Sequence, residues 1–314
     1  MQYPIDHIPA GVEMHIIAPF IHLNGGDWHA IDLYMHYSKT HKVSLWSPHP
    51  PHSGFEKYPI KQIRPYRNES PYSGILIISG ARTEIGVWVI QGRFSEVVLI
   101  HNLLSPGILY QALNQLRHYL TQPVKIVYVS DLVKRYAGLP GKVVHHMPSL
   151  LRFKPMVKKH DASQFKVGRI STDMLAKHHY SDINIYRALA KQAIPVEITG
   201  GTCLIPWLGQ EQHISLKPVA TQADLPKVYQ QLDCFYYRVP STVKDPFPLV
   251  VLEAMLTGLP VVCHRDVGTT EIIEHGVNGF IFDTADQALN IIDTLKKNAD
   301  LRQKIGMQAI QIKT

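Results

Sequence analysis

Residues 245–264, DPFPLVVLEAMLTGLPVVCH, place a helix and a strand end to end, and this junction decides the fold. Pro248 can open the helix, because a first-turn residue needs no amide partner, and Gly258 can end it in the left-handed conformation that other residues avoid. Leu259 to His264 then runs apolar with little alternation, the pattern of a strand covered on both faces. Such strands belong to parallel sheets, whose neighbours are joined by crossover helices. Val250, Val251, Leu252, Ala254, Met255 and Leu256 make the helix apolar on nearly every side, so it should be enclosed.

The alternation extends outward from this unit. FKVGRI (165–170), PVEIT (195–199), LDCFYY (232–237) and GFIF (279–282) read as further strands, with helices near 182–193, 223–231 and 286–298. In the first half, VEMHIIA (12–18) is followed by a loop with Asn24-Gly25-Gly26 and a helix bearing Trp28, Ile31, Tyr34 and Met35 on one face. VSLWS (43–47), GILIIS (74–79), VWVI (87–90), EVVLIH (96–101), VKIVYVS (124–130) and KVVHHM (142–147) read as strands, and 107–120 as an amphipathic helix. The Pro- and His-rich stretch 48–72 reads as an excursion, and Pro148 to Asp161 as an interdomain linker. The fold class expected is α/β: two Rossmann-like, doubly wound parallel-sheet domains, 1–153 and 154–314, facing each other across a cleft.

A chain of 314 residues, 45% hydrophobic and 18% charged, is long enough for two such cores. No apolar run approaches the ~20 residues that span a bilayer, and the N-terminus lacks the order of a secretory signal, so a cytosolic location is expected. The net charge of +7 is uneven, with 14 Lys and Arg against 9 Asp and Glu in residues 1–153, and 18 against 16 in 154–314. A basic first half suits an anionic membrane face or an acidic ligand. Nucleic acid is not expected, because no basic-aromatic motif or recognition helix accompanies the charge. Cys203, Cys234 and Cys263 read as buried thiols, and the His pairs 145–146 and 178–179 lack the carboxylates and spacing of a metal site.

Several polar residues stand where these elements would converge. Glu253, alone in its apolar helix, must find hydrogen-bond donors: a ligand's hydroxyl groups, backbone amides or a buried arginine. Asp245 lies on a loop stiffened by Pro246 and Pro248, and either stabilises the helix start or contacts ligand with Phe247, Pro248 and Leu249. Gly268, Thr269 and Thr270 follow a strand and can offer amides to a phosphate or simply cap the next turn. Arg169 ends a strand and Lys177 follows eight residues later; at a strand's carboxyl end both can neutralise a diphosphate, and elsewhere they would be solvated surface charges.

Taken together, Asp245, Glu253-Ala254-Met255, Gly258 to Val262, Gly268 to Glu271 and Gly276 to Gly279 resemble the second domain of the retaining, GT-B-fold glycosyltransferases of family 4 (glycosyl transferases group 1). Gly168-Arg169-Ile170-Ser171 with Lys177 resembles that family's diphosphate-binding strand end. The resemblance implies that Glu253 binds the donor ribose, Arg169 and Lys177 the diphosphate, and amides near Thr269 and Thr270 assist. Asp245, where most members have Glu, would contact the transferred sugar. In the first half, Gly25 and Gly26 resemble the family's glycine loop, and His101 a histidine that touches the donor sugar.

The implied activity is transfer of a hexose-type sugar from a nucleotide sugar, UDP- or GDP-linked, to a glycan or lipid-linked acceptor, with retention of configuration. No metal or other cofactor is expected. No Asp-x-Asp pair occurs that would clamp magnesium, and cationic side chains would stabilise the leaving diphosphate instead. Contact with an anionic membrane at its inner face is a further expectation. Two other readings stay open at this level: a sugar-nucleotide epimerase of the same fold, and a protein that binds nucleotide sugar without catalysis.

Overall fold

The computed structural model describes residues 3–5, 7–9, 11–146, 148, 152–155, 165–240, 242 and 244–312. The chain divides into two compact units, with the boundary between residues 147 and 148. Residues 147, 149–151 and 156–161 of the expected last strand and linker lie outside the described residues. Phe153 is buried against Tyr229, their rings edge-on at 5.9 Å, so the second unit already includes residues before 154.

The first unit holds seven strands, β1 (Met14–Ile17), β2 (Val43–Ser47), β3 (Ile60–Gln62), β4 (Ser73–Ser79), β5 (Arg93–His101), β6 (Val124–Tyr128) and β7 (Lys142–Val143). They form one parallel sheet ordered β3-β2-β1-β4-β5-β6-β7. The central strands are buried from end to end over Met14–Ile17, Ile75–Ser79 and Val97–His101, as their unbroken apolar runs require. Helices α1 (Gly25–Tyr37), α2 (Pro106–Tyr119) and α3 (Asp131–Ala137) provide crossovers.

The second unit repeats the design with β8 (Val167–Ile170), β9 (Val196–Thr199), β10 (Ile214–Lys217), β11 (Cys234–Tyr237), β12 (Val261–His264) and β13 (Phe280–Phe282). Their order is β10-β9-β8-β11-β12-β13, again parallel throughout. Its helices are α4 (Asp182–Lys191), α5 (Ile205–Leu208), α6 (Leu225–Gln230), α7 (Leu249–Leu256), α8 (Ala285–Lys297) and α9 (Ala299–Ile310). In both sheets the order reverses beside the first strand, between β1 and β4 and between β8 and β11. These are the switch points at whose carboxyl ends doubly wound sheets take ligands.

The 245–264 junction forms as expected. Pro248 precedes α7 in extended conformation, and Gly258, at φ +83°, turns the chain into β12 while Leu259 N returns to Ala254 O at 3.1 Å. Helix α9 crosses this turn closely: a Cβ on Gly306 would lie 2.1 Å from Gly258 O. Arg302 of α9, buried under 2% exposure, donates to the carbonyls of Leu295 and Lys296 and so closes the end of α8.

Four expectations need correction. VWVI (87–90) is a 3-10 turn, Val87–Gln91, in which Trp88 and Val89 are buried while Val87 and Ile90 are exposed; a pair in and a pair out is one turn of helix, not a pleat. The edge strands β3, inside the Pro- and His-rich excursion, and β10 give no sequence signal, because half-exposed IKQ and ISLK lack an apolar run. His146 does find a carboxylate, Asp32 of α1 at 3.0 Å, and stacks on His29 at 4.0 Å. That pairing is tertiary, and no cluster of three metal-ligating side chains occurs among the described residues. Cys234 and Cys263 are buried as expected, whereas Cys203 is half-buried.

Candidate functional site

At the carboxyl ends of β8 and β11 the second domain gathers its charged side chains. Arg169 is the third residue of β8 and has no exposed surface. Its guanidinium lies over the Tyr237 ring, 4.9 Å from the centroid, and donates through Nη2 to the Lys177 carbonyl. Its Nε and Nη1 are buried with no hydrogen-bond partner, which is costly for a guanidinium. Arg169 therefore does not face open solvent as its strand-end position suggested. The Tyr237 ring and the Lys177 backbone cover it.

Lys177 is the more accessible cation, its side chain about one-third exposed, and its Nζ pairs with Asp245 Oδ2 at 3.0 Å. The same oxygen accepts the Tyr237 hydroxyl at 2.9 Å. Asp245 reaches this position because its backbone bridges to Val267 and its carbonyl accepts from Gly268 N at 3.0 Å. Residues 76 apart in sequence, Arg169 and Asp245, are thus joined through one tyrosine.

A second polar network adjoins the first. Asp182, at the start of α4, accepts from Tyr236 at 2.8 Å and pairs with Arg238 at 3.4 Å. Burial pushes its carboxyl up to about 6, against the opposing pull of Arg169, Tyr236 and Arg238. His178 is held between Ser171 and the Gly200 carbonyl, and burial, with Arg169 beside it, lowers it to about 4. Arg169, Lys177 and Arg238 thus bring three cations against the carboxylates of Asp182 and Asp245, while neighbouring Asp173 is engaged by Thr202 and by Cys203 N at 2.8 Å. Lys177 and Arg238 are each paired with a carboxylate, whereas the Nε and Nη1 of buried Arg169 have no partner, and a cation left in this state favours an anion.

Glu253 is 3% exposed, and Tyr229 donates to its Oε2 at 2.9 Å. A tyrosine, not considered from sequence, is therefore among its donors. Phe247 and Pro248 are buried and Leu249 opens α7. Gly268–Ile272 is a 3-10 turn; Thr269 is fully buried with Oγ1 unpartnered. Thr270 N is already bonded to Val267 O at 3.2 Å and so is not an open amide for phosphate. Gly276–Gly279 is a structural turn: Asn278 accepts from Glu274 N and donates to Ile272 O.

In the first domain, Gly25 and Gly26 begin α1 at the β1/β4 switch point. Asn24 caps the helix, accepting from Gly26 N at 2.9 Å and Asp27 N at 3.1 Å, so these amides are occupied. A Cβ on Gly26 would lie 2.8 Å from Asn102 Nδ2, which brings the residue after His101 against the glycine loop. His101 ends β5, is 1% exposed with Nδ1 unpartnered, and burial lowers it to about 4, so it is neutral at pH 7. Asp27 beneath the loop accepts from Phe20 N and His22 N, and burial raises it to about 6.

Tyr237, Tyr229, Asp182, Arg238 and Asn102 were not singled out from sequence. Tyrosines within LDCFYY read as strand filling, and only the register of β11 shows that Tyr236 and Tyr237 leave on opposite faces.

Comparison with known proteins gives a family match over the part of the second domain that holds Tyr237, Asp245 and Glu253. Residues 202–312 match the family model of glycosyl transferases group 1. Spore coat protein SA of Bacillus subtilis is 30% identical over 100 residues, which are 31% of this chain and 26% of that protein. The chain thus spans about a quarter of the length of this curated relative. Among solved structures, Anabaena Alr3699/HepE in complex with UDP-glucose is similar at a TM-score of 0.70 and 19% identity, covering 96% of this chain and 94% of that one. A glycosyltransferase from Rickettsia africae gives 0.69 at 14% identity over 96% and 93% of the two chains. WaaG, a glycosyltransferase involved in lipopolysaccharide biosynthesis, gives 0.65 at 11% over 96% and 94%. At these identities the likeness is one of fold: two parallel-sheet α/β domains of the GT-B type.

Proposed function

We propose that the protein is a glycosyltransferase that moves a hexose-type sugar from a nucleoside diphosphate sugar to a glycan or lipid-linked acceptor, with retention and without a metal. The observation that carries this reading is buried Arg169 at the carboxyl end of β8, with two guanidinium nitrogens unpartnered, beside the more accessible Lys177. A UDP-sugar is the foremost donor candidate, since HepE of the same fold is known in complex with UDP-glucose.

In this reading Lys177 leaves Asp245 to meet the diphosphate, and Arg169 supplies a fixed positive field from behind it. Preorganised cations of this kind stabilise the negative charge that develops as the sugar carbon leaves the phosphate oxygen. The departing oxygen takes the acceptor's proton on the same face, so no enzyme base is needed. Asp245 then faces the transferred sugar. Glu253 accepts from a ribose hydroxyl in place of, or beside, Tyr229. Arg169, Lys177, Asp245, Glu253 and His101 are the residues assigned to the reaction. Gly25, Gly26, Phe247, Pro248, Leu249, Gly268, Thr269 and Thr270 line the donor.

No helix among the described residues is long and apolar enough to cross a membrane. The basic first half supports peripheral contact with an anionic bilayer, where a lipid-linked acceptor would lie. Thermal unfolding against UDP-, GDP- and ADP-sugars tests the donor assignment. Saturation at 100 times Kd stabilises by about 2.7 kcal/mol, and one nucleotide class should raise the melting temperature selectively. Indifference to every nucleotide sugar would remove the donor site.

A further inference from the structure

We infer that Tyr237 is a positioning residue that fixes both the acidic and the cationic arms of the donor site, an inference that rests on the donor-site reading above. Tyr237 ends β11 and is only 2% exposed, so it acts through its neighbours. Its hydroxyl donates to Asp245 Oδ2 at 2.9 Å, the oxygen that also receives Lys177 Nζ at 3.0 Å. Its ring lies under the Arg169 guanidinium at 4.9 Å, and Arg169 donates to the backbone carbonyl of Lys177. Arg169, Lys177, Asp245 and Tyr237 therefore close a loop across two strand ends and two connecting segments.

The two functions of this side chain are separable. The hydroxyl orients Asp245. A short carboxylate has few rotamers, and a buried hydrogen bond to one oxygen decides which way the other faces. The ring holds Arg169, whose Nε and Nη1 lack partners and whose position depends on the aromatic face and one carbonyl. Tyr236, the preceding residue, leaves the strand on the opposite face and bonds Asp182 instead, so it cannot substitute.

Tyr237→Phe removes the hydroxyl and keeps the ring; Tyr237→Leu removes both. Affinity for UDP, measured by calorimetry, reads the cationic arm, and the rate at which UDP-glucose is hydrolysed to UDP and glucose reads the acidic arm. Tyr237→Phe should bind UDP within about twofold of the unaltered protein and hydrolyse UDP-glucose about tenfold more slowly, the loss expected for one hydrogen bond to a charged group. Tyr237→Leu should show the same slowing and also bind UDP about fivefold more weakly. A Phe variant of unchanged rate, or a Leu variant that binds UDP like the Phe variant, overturns the positioning role. Equal losses in both readouts for both variants also overturn it, since that is the signature of a structural residue. Failure of the unaltered protein to bind UDP overturns the donor-site reading itself, and this role with it.

Discussion

The carboxyl ends of the two sheets have the same topology and different charged side chains. In each, strand order reverses beside the first strand and a helix follows, yet the first domain presents a capped glycine loop, neutral His101 and buried Asp27, whereas the second presents Arg169, Lys177 and Arg238. The fold supplies a place for a ligand twice over, and the side chains decide what that place accepts. An end rich in cations suits a diphosphate. An end that offers no cation from its glycine loop, His101 or Asp27 suits the uncharged part of a donor or an acceptor.

The comparison breaks most sharply at Arg169. Arg169→Met, which keeps bulk over the Tyr237 ring, should lower sugar transfer by about three orders of magnitude, the upper range for one preorganised donor; measured kcat near the original would remove the cationic end from the chemistry. Lys177→Met should weaken UDP binding by roughly tenfold to thirtyfold, as expected for one lost charge-assisted contact, with calorimetry as the readout. In the first domain, His101→Ala should slow transfer by about tenfold, the cost of one hydrogen bond, and leave the Kd for UDP unchanged. Weakened UDP binding by that variant would show the two ends sharing one role.

Acidity acts on the second end through two opposed groups. Asp182, raised to about 6 from 3.8, favours the folded state when protonated, so its contribution is full below pH 3.8 and is lost as pH rises through about 6. His178, lowered to about 4 from 6.5, contributes above pH 6.5 and loses that contribution as pH falls towards 4. The two offset one another between pH 4 and 6. Asp182→Asn leaves His178 unopposed, and the melting temperature of that variant should fall by about 5 °C more than the unaltered protein's between pH 6.5 and 4. The smallest effect belongs to Gly26→Ala. Its Cβ meets the movable end of Asn102 at 2.8 Å, so stability should change by less than about 1 kcal/mol, read from urea unfolding.

Much of this was written in the sequence. The run DPFPLVVLEAMLTGLPVVCH specified helix, turn and buried strand, because proline, glycine and continuous apolar burial each act locally. The central strands of both domains were legible for the same reason, whereas Arg169, Lys177, Asp245 and Glu253 stood out as candidates only through their places beside those strands and the family resemblance. Edge strands β3 and β10 were not, since half-exposed strands need no apolar run. VWVI misled because a single helical turn can carry the composition of a strand.

The sequence by itself determined which residues lie in the sheets and which charges stand near strand ends, since both follow from short-range pattern. Only the tertiary structure decided what those charges touch. It placed Tyr237 between Arg169 and Asp245, gave Glu253 a tyrosine donor, brought Asp32 to His146 and occupied the amide of Thr270. The physical reason is that hydrogen bonds and ion pairs are satisfied in space, by whichever partner the sheet register and helix packing deliver, and a linear pattern carries no record of that delivery.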